Sequence, residues 1–258
     1  MTEKNIENTW CPGCSNFAIL AALKNTLSSL NEKEKIVIAA GIGCGSKIID
    51  YLDFNTFSAL HGRPVASAEG IKLGNPKLKV IASIGDGGAY NEGISHLIHA
   101  AKRNIDITVL VHNNRNFALT TSQFTATSPE NFKGRSTPRG SIEEPFNPLE
   151  LMLASGATFI ARGYAFKTDQ LQGLIKKGIN HKGFSFIDIL QPCITFFDQT
   201  DFYNERVYQL EEEDLASREK ALDKIREWDY RNGDSKIPLG VFYQKEKESY
   251  EEKLFKKI

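Results

Sequence analysis

The sequence has few cysteines, no excess of either charge and no long apolar run. Its 4 cysteines among 258 residues are too few for a scaffold held together by disulfides. Its 32 basic residues balance 32 acidic ones, so no net charge attracts nucleic acid or an anionic membrane surface. We therefore expect neither nucleic acid nor a membrane as a partner.

The amino-terminal region lacks the pattern of a membrane span or a signal peptide. The uncharged stretch from Trp10 to Leu23 is too short and too polar to cross a bilayer. Glu3, Lys4 and Glu7 stand where a signal peptide would be basic and then apolar. We expect a cytoplasmic protein.

What is present favours an α/β fold. Hydrophobic residues make up 41% of the chain, which is enough to bury a large core. Helical periodicities and short apolar runs alternate, as is typical of a doubly wound, mainly parallel sheet with helices on both faces. The predicted helices cover Phe17 to Leu30, Glu92 to Arg103, Leu149 to Ala154 and Asp169 to Ile179. The predicted strands cover Ile36 to Ala40, Leu78 to Ile84, Ile105 to Val111, Thr158 to Arg162 and Phe184 to Leu190.

Two regions depart from this alternation. Residues 115–147 are rich in Asn, Ser, Thr, Gly and Pro, which predicts a long functional loop. From residue 205 onward 26 of 54 residues are charged, against 38 of the first 204. We predict one domain over 1–204 and a charged helical extension over 205–258 that packs on the domain or on a partner subunit. Within the extension we predict a helix around Glu211 to Trp228 and an extended piece from Ile237 to Tyr243.

The segment Gly85-Asp86-Gly87 lies between a predicted buried strand and a predicted helix. Backbone N–H groups at a helix start favour a phosphate, and Asp86 offers the hard oxygen ligand that Mg²⁺ prefers. Alone, this motif also occurs in ordinary turns. Asn114 follows the next predicted strand, and a right-handed crossover brings both side chains to the carboxyl edge of the sheet. The pair therefore predicts a shared cation.

The cysteines are placed at the same edge. Cys11 and Cys14 form a C-x-x-C pair, whereas Cys44 and Cys193 each follow a predicted strand. The residues alone leave three alternatives open: a redox dithiol with two buried cysteines, a structural zinc site, or an iron–sulfur cluster.

The chain resembles the β subunit of 2-oxoacid:ferredoxin oxidoreductases through five further motifs. Gly-Asp-Gly followed by Asn-Asn is itself the motif of thiamine diphosphate enzymes. The five motifs keep the family's order and similar spacing from about Asn8 to Tyr243. They are Trp10-Cys11-Pro12-Gly13-Cys14, Gly41-Ile42-Gly43-Cys44, Leu60-His61-Gly62-Arg63, Gly70-Ile71-Lys72-Leu73-Gly74-Asn75-Pro76 and Gln191-Pro192-Cys193.

The resemblance implies three cofactors and the residues that hold them. The fold would be the diphosphate-binding domain of thiamine enzymes, and residues 1–204 would carry thiamine diphosphate, Mg²⁺ and a [4Fe–4S] cluster. The matching cluster ligands are Cys11, Cys14, Cys44 and Cys193, and the matching Mg²⁺ ligands are Asp86, Asn114 and the carbonyl of Asn116. The matching positions around thiamine diphosphate are Ile42, Gly43, Cys44, Gly45, His61, Gly85, Asp86, Gly87, Gly88, Asn114, Ala118 and Leu119.

The implied reaction is oxidative decarboxylation of a 2-oxoacid with coenzyme A to an acyl-CoA, CO₂ and reduced ferredoxin. We expect 2-oxoglutarate as the substrate first and pyruvate second. His61 matches a family histidine beside thiamine. Lys47, three residues after Cys44, is placed to bring a cation to the substrate carboxylate. A non-redox thiamine lyase or synthase, with structural cysteines or zinc, is the alternative.

The chain departs from the family pattern in a missing domain and in two segments. Family members activate thiamine with a glutamate from a pyrimidine-binding domain, for which 258 residues leave no room, so we expect a heterodimer with an α subunit. Gly88 stands where many members have a second Asp, and Phe117-Ala118-Leu119-Thr120-Thr121-Ser122-Gln123 replaces a Tyr-Gly-Met-Thr-Gly-Gly-Gln segment that shapes the substrate pocket.

Overall fold

Helices and strands alternate along the chain. A computed structural model describes residues 6–211, 213–231 and 233–257. The helices are α1 (Asn16–Ser29), α2 (Pro64–Gly74), α3 (Ile94–Arg103), α4 (Pro148–Ser155), α5 (Thr168–Asn180), α6 (Thr200–Arg206), α7 (Arg218–Ile225) and α8 (Tyr250–Phe255). The strands are β1 (Ile36–Ala40), β2 (Asn55–Ser58), β3 (Lys79–Gly85), β4 (Thr108–Asn113), β5 (Phe159–Tyr164), β6 (Ser185–Leu190), β7 (Val207–Gln209) and β8 (Ile237–Gln244).

These strands form one sheet in the order β2-β1-β3-β4-β6-β5-β8-β7. The strands from β2 to β5 are all parallel, and β8 pairs antiparallel with β5. The chain leaves β1 for β2 on one side and returns to β3 on the other. The carboxyl ends of β1 and β3 therefore flank the point where the strand order reverses, which is where open α/β sheets bind ligands.

The central strands are buried because helices cover both faces of the sheet. Every residue of β4, β5 and β6 is buried, as expected for parallel strands whose side chains on both faces meet apolar helices. One apolar core lies under α1 and α5, and the other lies under α2, α3, α4 and α7. This confirms the predicted doubly wound, mainly parallel α/β fold.

Most predicted elements lie within a few residues of those observed, but α6, β7 and α8 were not predicted, nor were three features closer to the sheet edge. The segment Gly87–Glu92, before α3, is a π-helical turn, and such turns are frequent at functional sites. Neither β2 nor α2 was predicted, because β2 is exposed along its whole length and α2 shows little amphipathic pattern. Residues 115–147 contain no regular helix or strand among the described residues, as predicted for a long loop.

The charged carboxyl-terminal region contributes to the sheet. The predicted helix around Glu211 to Trp228 is shorter in the structure, where α7 covers Arg218–Ile225. The predicted extended piece is β8, which lies between β5 and β7. Hence part of 205–258 is built into the core, although the boundary at residue 204 stays a prediction.

The described helices are short. The longest, α1, has 14 residues. None of the helices in the described part of the chain is a candidate membrane span.

Candidate active site

A cavity of about 210 Å³ opens at the carboxyl ends of β1, β3 and β4. It lies at the reversal point of the strand order. Twelve of its lining residues are the positions predicted to contact thiamine diphosphate, from Ile42 to Leu119, and Asn116, Phe117 and Thr120 complete the wall. The structure thus brings the predicted positions together around one space, and their assignment to the cofactor stays a prediction.

Glycines keep the floor of this cavity open. A Cβ at Gly43 or Gly85 would meet nothing within 4 Å, so both face free space. A Cβ at Gly87 would lie 2.1 Å from the ring of Phe117, so only glycine fits under that ring. Because Gly87 begins the π-helical turn, the first N–H groups of the turn are available to a phosphate.

Asp86 is a buried carboxylate in the wall of the cavity. Its side chain is 1% exposed and accepts a hydrogen bond from Thr125 Oγ1 at 2.6 Å. Burial, together with the charge of Asp188, raises the pKa of Asp86 to about 7, and the hydrogen bonds from Thr125 and Thr127 act in the opposite direction. A bound divalent cation would favour the ionised carboxylate, so the site suits a metal such as Mg²⁺.

Asn114 and Asn116, the latter predicted to bind Mg²⁺ through its backbone carbonyl, line the same cavity. Asn114 Oδ1 accepts the backbone N–H of Asn116 at 3.2 Å, and Asn116 Nδ2 donates to the carbonyl of Asn114 at 2.8 Å. Asn116 Oδ1 is buried and has no hydrogen-bond partner among the described residues. A buried oxygen without a donor is costly unless a ligand or water satisfies it. Together with Asp86, this oxygen-rich set fits the predicted magnesium.

The two predicted catalytic residues have different surroundings. His61 lines the cavity, where its Nδ1 lies 3.2 Å from the carbonyl oxygen of Ile42 and its ring packs 5.9 Å from that of Phe117. Lys47 is not among the lining residues, and its Nζ donates to the carbonyl of Thr9 at 3.2 Å. The catalytic roles of both residues stay predictions.

The four cysteines lie beside the cavity as free thiols. Cys44 lines it, and the other three form with it the cysteine region, defined here as residues 10–16, 44 and 192–197. Burial raises the pKa of Cys44 to about 11, against the lowering effect of Lys47, and the charges of the other three cysteines raise it further. All four thiols are therefore close enough to interact electrostatically.

The spacing of the four thiols is relevant to the kind of metal group that they would bind. Among the described residues, no three His, Cys, Asp or Glu side chains are grouped closely enough to hold a metal ion. A single zinc ion binds each thiolate at about 2.3 Å, so its ligands are nearly in contact. A cluster places iron and sulfide atoms between its cysteines and separates them further. The assignment of the four cysteines to a [4Fe–4S] cluster stays a prediction, because the described residues show no group placed to hold a metal ion.

Hydrogen bonds to backbone groups hold the cysteine region. Trp10 Nε1 donates to the carbonyl of Cys44 at 2.7 Å, and Ser15 Oγ donates to the carbonyl of Pro192 at 2.7 Å. Asn16 Oδ1 lies 2.9 Å from Nδ1 of the buried His112 on β4. These contacts join the amino-terminal segment to the loops after β1 and β6.

The sequence did not reveal several side chains around Asp86. Thr125 and Thr127, which reach Asp86, come from the long loop, where no periodicity places them. Arg115 is fully buried with φ of 59°, and its Nε donates to the carbonyl of Thr127 at 2.7 Å. A positively charged residue directly after Asn114 was the available signal.

Two family models match successive parts of the chain. Residues 41–189 match the family described as the C-terminal thiamine pyrophosphate-binding domain of thiamine pyrophosphate enzymes. Residues 193–257 match the family described as the C-terminal part of the pyruvate ferredoxin oxidoreductase beta subunit.

Curated relatives cover most of the chain. Subunit beta of 2-oxoacid:ferredoxin oxidoreductase 1 from Aeropyrum pernix is 41% identical over 95% of this chain and 80% of its own length. The 2-oxoglutarate synthase subunit KorB of Methanothermobacter marburgensis is 36% identical over 94% of this chain and 85% of its own length. A solved structure of 2-oxoglutarate:ferredoxin oxidoreductase from Magnetococcus marinus, with 2-oxoglutarate, coenzyme A and succinyl-CoA bound, matches with a TM-score of 0.93 and 32% identity, over 98% of this chain and 87% of that one.

Proposed function

This chain belongs to the β subunits of 2-oxoacid:ferredoxin oxidoreductases, and from that premise we propose that it carries the thiamine diphosphate, Mg²⁺ and [4Fe–4S] sites of a heteromeric enzyme. The proposed reaction converts a 2-oxoacid and coenzyme A to an acyl-CoA and CO₂. The bond to the carboxylate breaks, a thioester forms, and the two electrons released reduce ferredoxin.

One observation carries the proposal: a glycine-floored, oxygen-lined cavity and four coupled thiols share one sheet edge. Thiamine diphosphate would supply an electron sink for decarboxylation, and the cluster would accept electrons singly. A non-redox thiamine enzyme needs the first site only. The second site beside it therefore favours the redox reaction.

The residues of the cavity have distinct proposed tasks. Gly87 and Gly88 offer backbone N–H groups to the diphosphate, because they start the helical turn after β3. Asp86, Asn114 and Asn116 hold Mg²⁺ through their oxygens. Gly88, where many relatives have an aspartate, leaves these oxygens in place and removes one negative charge beside the diphosphate.

His61 and Lys47 are proposed to act on the substrate side. His61 has one ring nitrogen against the carbonyl of Ile42, which fixes the ring and leaves the other nitrogen to face the cavity contents. Lys47 would offer its ammonium group to the substrate carboxylate after leaving the carbonyl of Thr9. That exchange trades one hydrogen bond for a charge-assisted one.

The substrate proposed first is 2-oxoglutarate. It is supported by the relatives named 2-oxoglutarate synthase and by the similar structure with 2-oxoglutarate and succinyl-CoA bound. Pyruvate comes second, since the family matching residues 193–257 is named for it. The partner would be an α subunit whose pyrimidine-binding domain closes the cavity and supplies the activating glutamate.

A substrate panel on the anaerobically co-purified complex with the α subunit tests the proposal. We expect reduction of a low-potential viologen that requires both coenzyme A and a 2-oxoacid, with the highest kcat/KM for 2-oxoglutarate. Preference for pyruvate would correct the substrate. Binding of thiamine diphosphate without viologen reduction by any 2-oxoacid would favour the non-redox alternative.

A further inference from the structure

Asp188 on β6 is a buried carboxylate with no task in the proposed reaction. It is 0% exposed and accepts hydrogen bonds from the hydroxyls of Tyr90 and Tyr230, both at 2.6 Å, and from Asn113 Nδ2 at 3.0 Å. A buried carboxylate is costly unless donors surround it. This one has three donors from three distant segments, so it joins those segments rigidly.

The first of these segments is the diphosphate loop. Tyr90 lies in the π-helical turn Gly87–Glu92, whose first two residues line the cavity. Its hydroxyl on Asp188 therefore fixes the turn that presents backbone N–H groups to the cavity.

The second segment leads to the proposed magnesium oxygens. Asn113 directly precedes Asn114, and its Oδ1 accepts a hydrogen bond from Thr127 Oγ1 at 2.9 Å. The same hydroxyl lies 3.3 Å from Asp86 Oδ2. Asp188 thus reaches Asp86 through two intervening side chains.

The third segment is the carboxyl-terminal turn, defined here as residues 228–231. Tyr230 is fully buried, has φ of 66° and stacks on the ring of Trp228 at 4.3 Å. Its carbonyl accepts a hydrogen bond from Arg115, the residue between Asn114 and Asn116. The turn therefore contacts the magnesium-binding segment twice, through Asp188 and through Arg115.

Backbone conformation supports a specific task for this turn. Both Tyr230 and Arg115 adopt the left-handed region that residues other than glycine rarely occupy. Such conformations persist where the surroundings over-determine them, and they concentrate at functional sites. Here the two strained residues are hydrogen-bonded to each other across more than a hundred residues of sequence.

We propose that the carboxyl-terminal turn is a positioning device for the magnesium site, in which Tyr230 holds Asp188 and Arg115 and thereby aligns Asp86, Asn114 and Asn116. Neither Tyr230 nor Asp188 lines the cavity, so their effect passes through other residues. The inference rests on the proposed function and deepens it by naming positioning residues outside the cavity.

Tyr230→Phe tests this proposal because it removes the hydroxyl and keeps the ring stacked on Trp228. Partners that orient metal ligands typically change metal affinity by about 10- to 100-fold when removed. We expect Tyr230→Phe in the α/β complex to weaken Mg²⁺-dependent thiamine diphosphate binding, measured calorimetrically, by about 10-fold. The kcat at saturating cofactor should stay within about threefold, because the hydroxyl touches neither substrate nor cofactor.

Tyr208→Phe is the matched control. It also removes a tyrosine hydroxyl bonded to a carboxylate, that of Glu227, in the carboxyl-terminal region but away from the cavity. Equal cofactor affinity of the two variants would overturn the positioning role. Failure of the unsubstituted complex to bind thiamine diphosphate would instead overturn the proposed function and this inference with it.

If Tyr230→Phe does not fold, a second pair of variants tests the link between Asn113 and Asp86 on which the proposed alignment depends. Thr127→Val removes the hydroxyl between Asn113 and Asp86, whereas Thr127→Ser retains it. We expect the valine variant to bind thiamine diphosphate about 10-fold more weakly and the serine variant to restore most of the affinity. Equal weakening in both variants would indicate a packing role and contradict the proposal.

Discussion

The cavity and the cysteine region share one edge of the sheet but are held differently. Asp86 is 1% exposed and accepts hydroxyl hydrogen bonds, and its neighbours are joined through Asp188 to three segments. Cys11 is exposed, and its segment is tied to the domain by hydrogen bonds from Trp10 and Ser15 to backbone carbonyls and by the contact between Asn16 and His112. The cavity is therefore held by a buried network of side chains, whereas the cysteine region is held by a few separate contacts.

The difference follows from where each site comes from. Asp86 and Asn114 directly follow β3 and β4, and the register of these strands with their neighbours fixes both positions. All four cysteines lie outside the strands: Cys11 and Cys14 precede α1, and Cys44 and Cys193 lie in the loops after β1 and β6. Loop positions without side-chain networks open more easily than core positions.

The largest expected effect is a loss of cofactor binding in the cavity, with no effect on the cysteine region. Asp86→Ala removes the charged oxygen ligand, and we expect Mg²⁺-dependent thiamine diphosphate binding to fall by on the order of 100-fold. Iron content should be unchanged, because Asp86 is not part of the cysteine region. Calorimetric titration and an iron assay on the same preparation check both. Asp169→Ala, an exposed carboxylate after β5, is the control and should bind normally; loss of iron in Asp86→Ala would show that the two sites are not separable.

The second largest effect is expected from a variant that overpacks the wall of the cavity. Gly87→Ala drives a methyl group into the ring of Phe117, and such insertions cost about 1–3 kcal/mol. We expect a lower unfolding midpoint and weaker thiamine diphosphate binding together. Gly173→Ala on α5, where the added methyl meets nothing within 4 Å, should instead stabilise the helix by up to about 1 kcal/mol. Thermal unfolding distinguishes them, and a Gly87→Ala protein with native midpoint and affinity would refute the packing argument.

The third variant is expected to affect the cysteine region and to leave the cavity unchanged. Ser15→Ala removes the hydrogen bond to the carbonyl of Pro192, a loss of about 1 kcal/mol that corresponds to roughly 2–4 °C in unfolding midpoint. We expect faster loss of iron to a chelator and unchanged thiamine diphosphate affinity. Ser29→Ala, which removes a hydroxyl bonded within α1 to the carbonyl of Thr26, is the control. Equal rates of iron loss in the two variants would mean that this contact does not order the cysteine region.

The smallest effect lies outside both regions and concerns pH. Burial lowers the pKa of His181 from 6.5, against the charge of Asp106, and its Nε2 lies 2.8 Å from Thr158 Oγ1. Below pH 6.5 the unfolded chain binds more protons at this residue than the folded one, so stability falls as the pH falls. We expect His181→Gln to flatten the decline of the unfolding midpoint between about pH 7 and pH 5. Parallel profiles for the two proteins would refute this.

The positions of side chains that directly follow strands could be predicted from the sequence. Asp86 and Asn114 meet because each directly follows a buried strand and the two strands are neighbours. Short apolar runs reveal such strands, so the fold and the placement of Asp86 and Asn114 follow from local patterns. Other lining positions, such as His61 and Leu119, were predicted only through the motif resemblance. The placement of Cys44 and Cys193 after predicted strands also follows from local patterns, whereas the motif resemblance supplied the assignment of the four cysteines to a cluster.

The rest depended on contacts that no local pattern carries. Thr125 and Thr127 reach Asp86 from a loop without regular structure, and Tyr230 reaches Arg115 from the far end of the chain. The high charge of residues 205–258 indicated a solvated extension, yet β8 and Tyr230 are buried there. Many apolar residues of this region pack into the core in β8 and around Tyr230, which average composition does not reveal.

We propose that one edge of the sheet carries a thiamine diphosphate site and an iron–sulfur site side by side. Iron and acid-labile sulfide, determined on the anaerobically purified α/β complex of the unsubstituted chain and of Cys193→Ser, test it most directly. We expect about four irons and four sulfides for the cluster of this chain, above those of the α subunit. We also expect their loss in Cys193→Ser with thiamine diphosphate binding retained. Zinc in place of iron, or the same iron content in both proteins, would contradict the proposal.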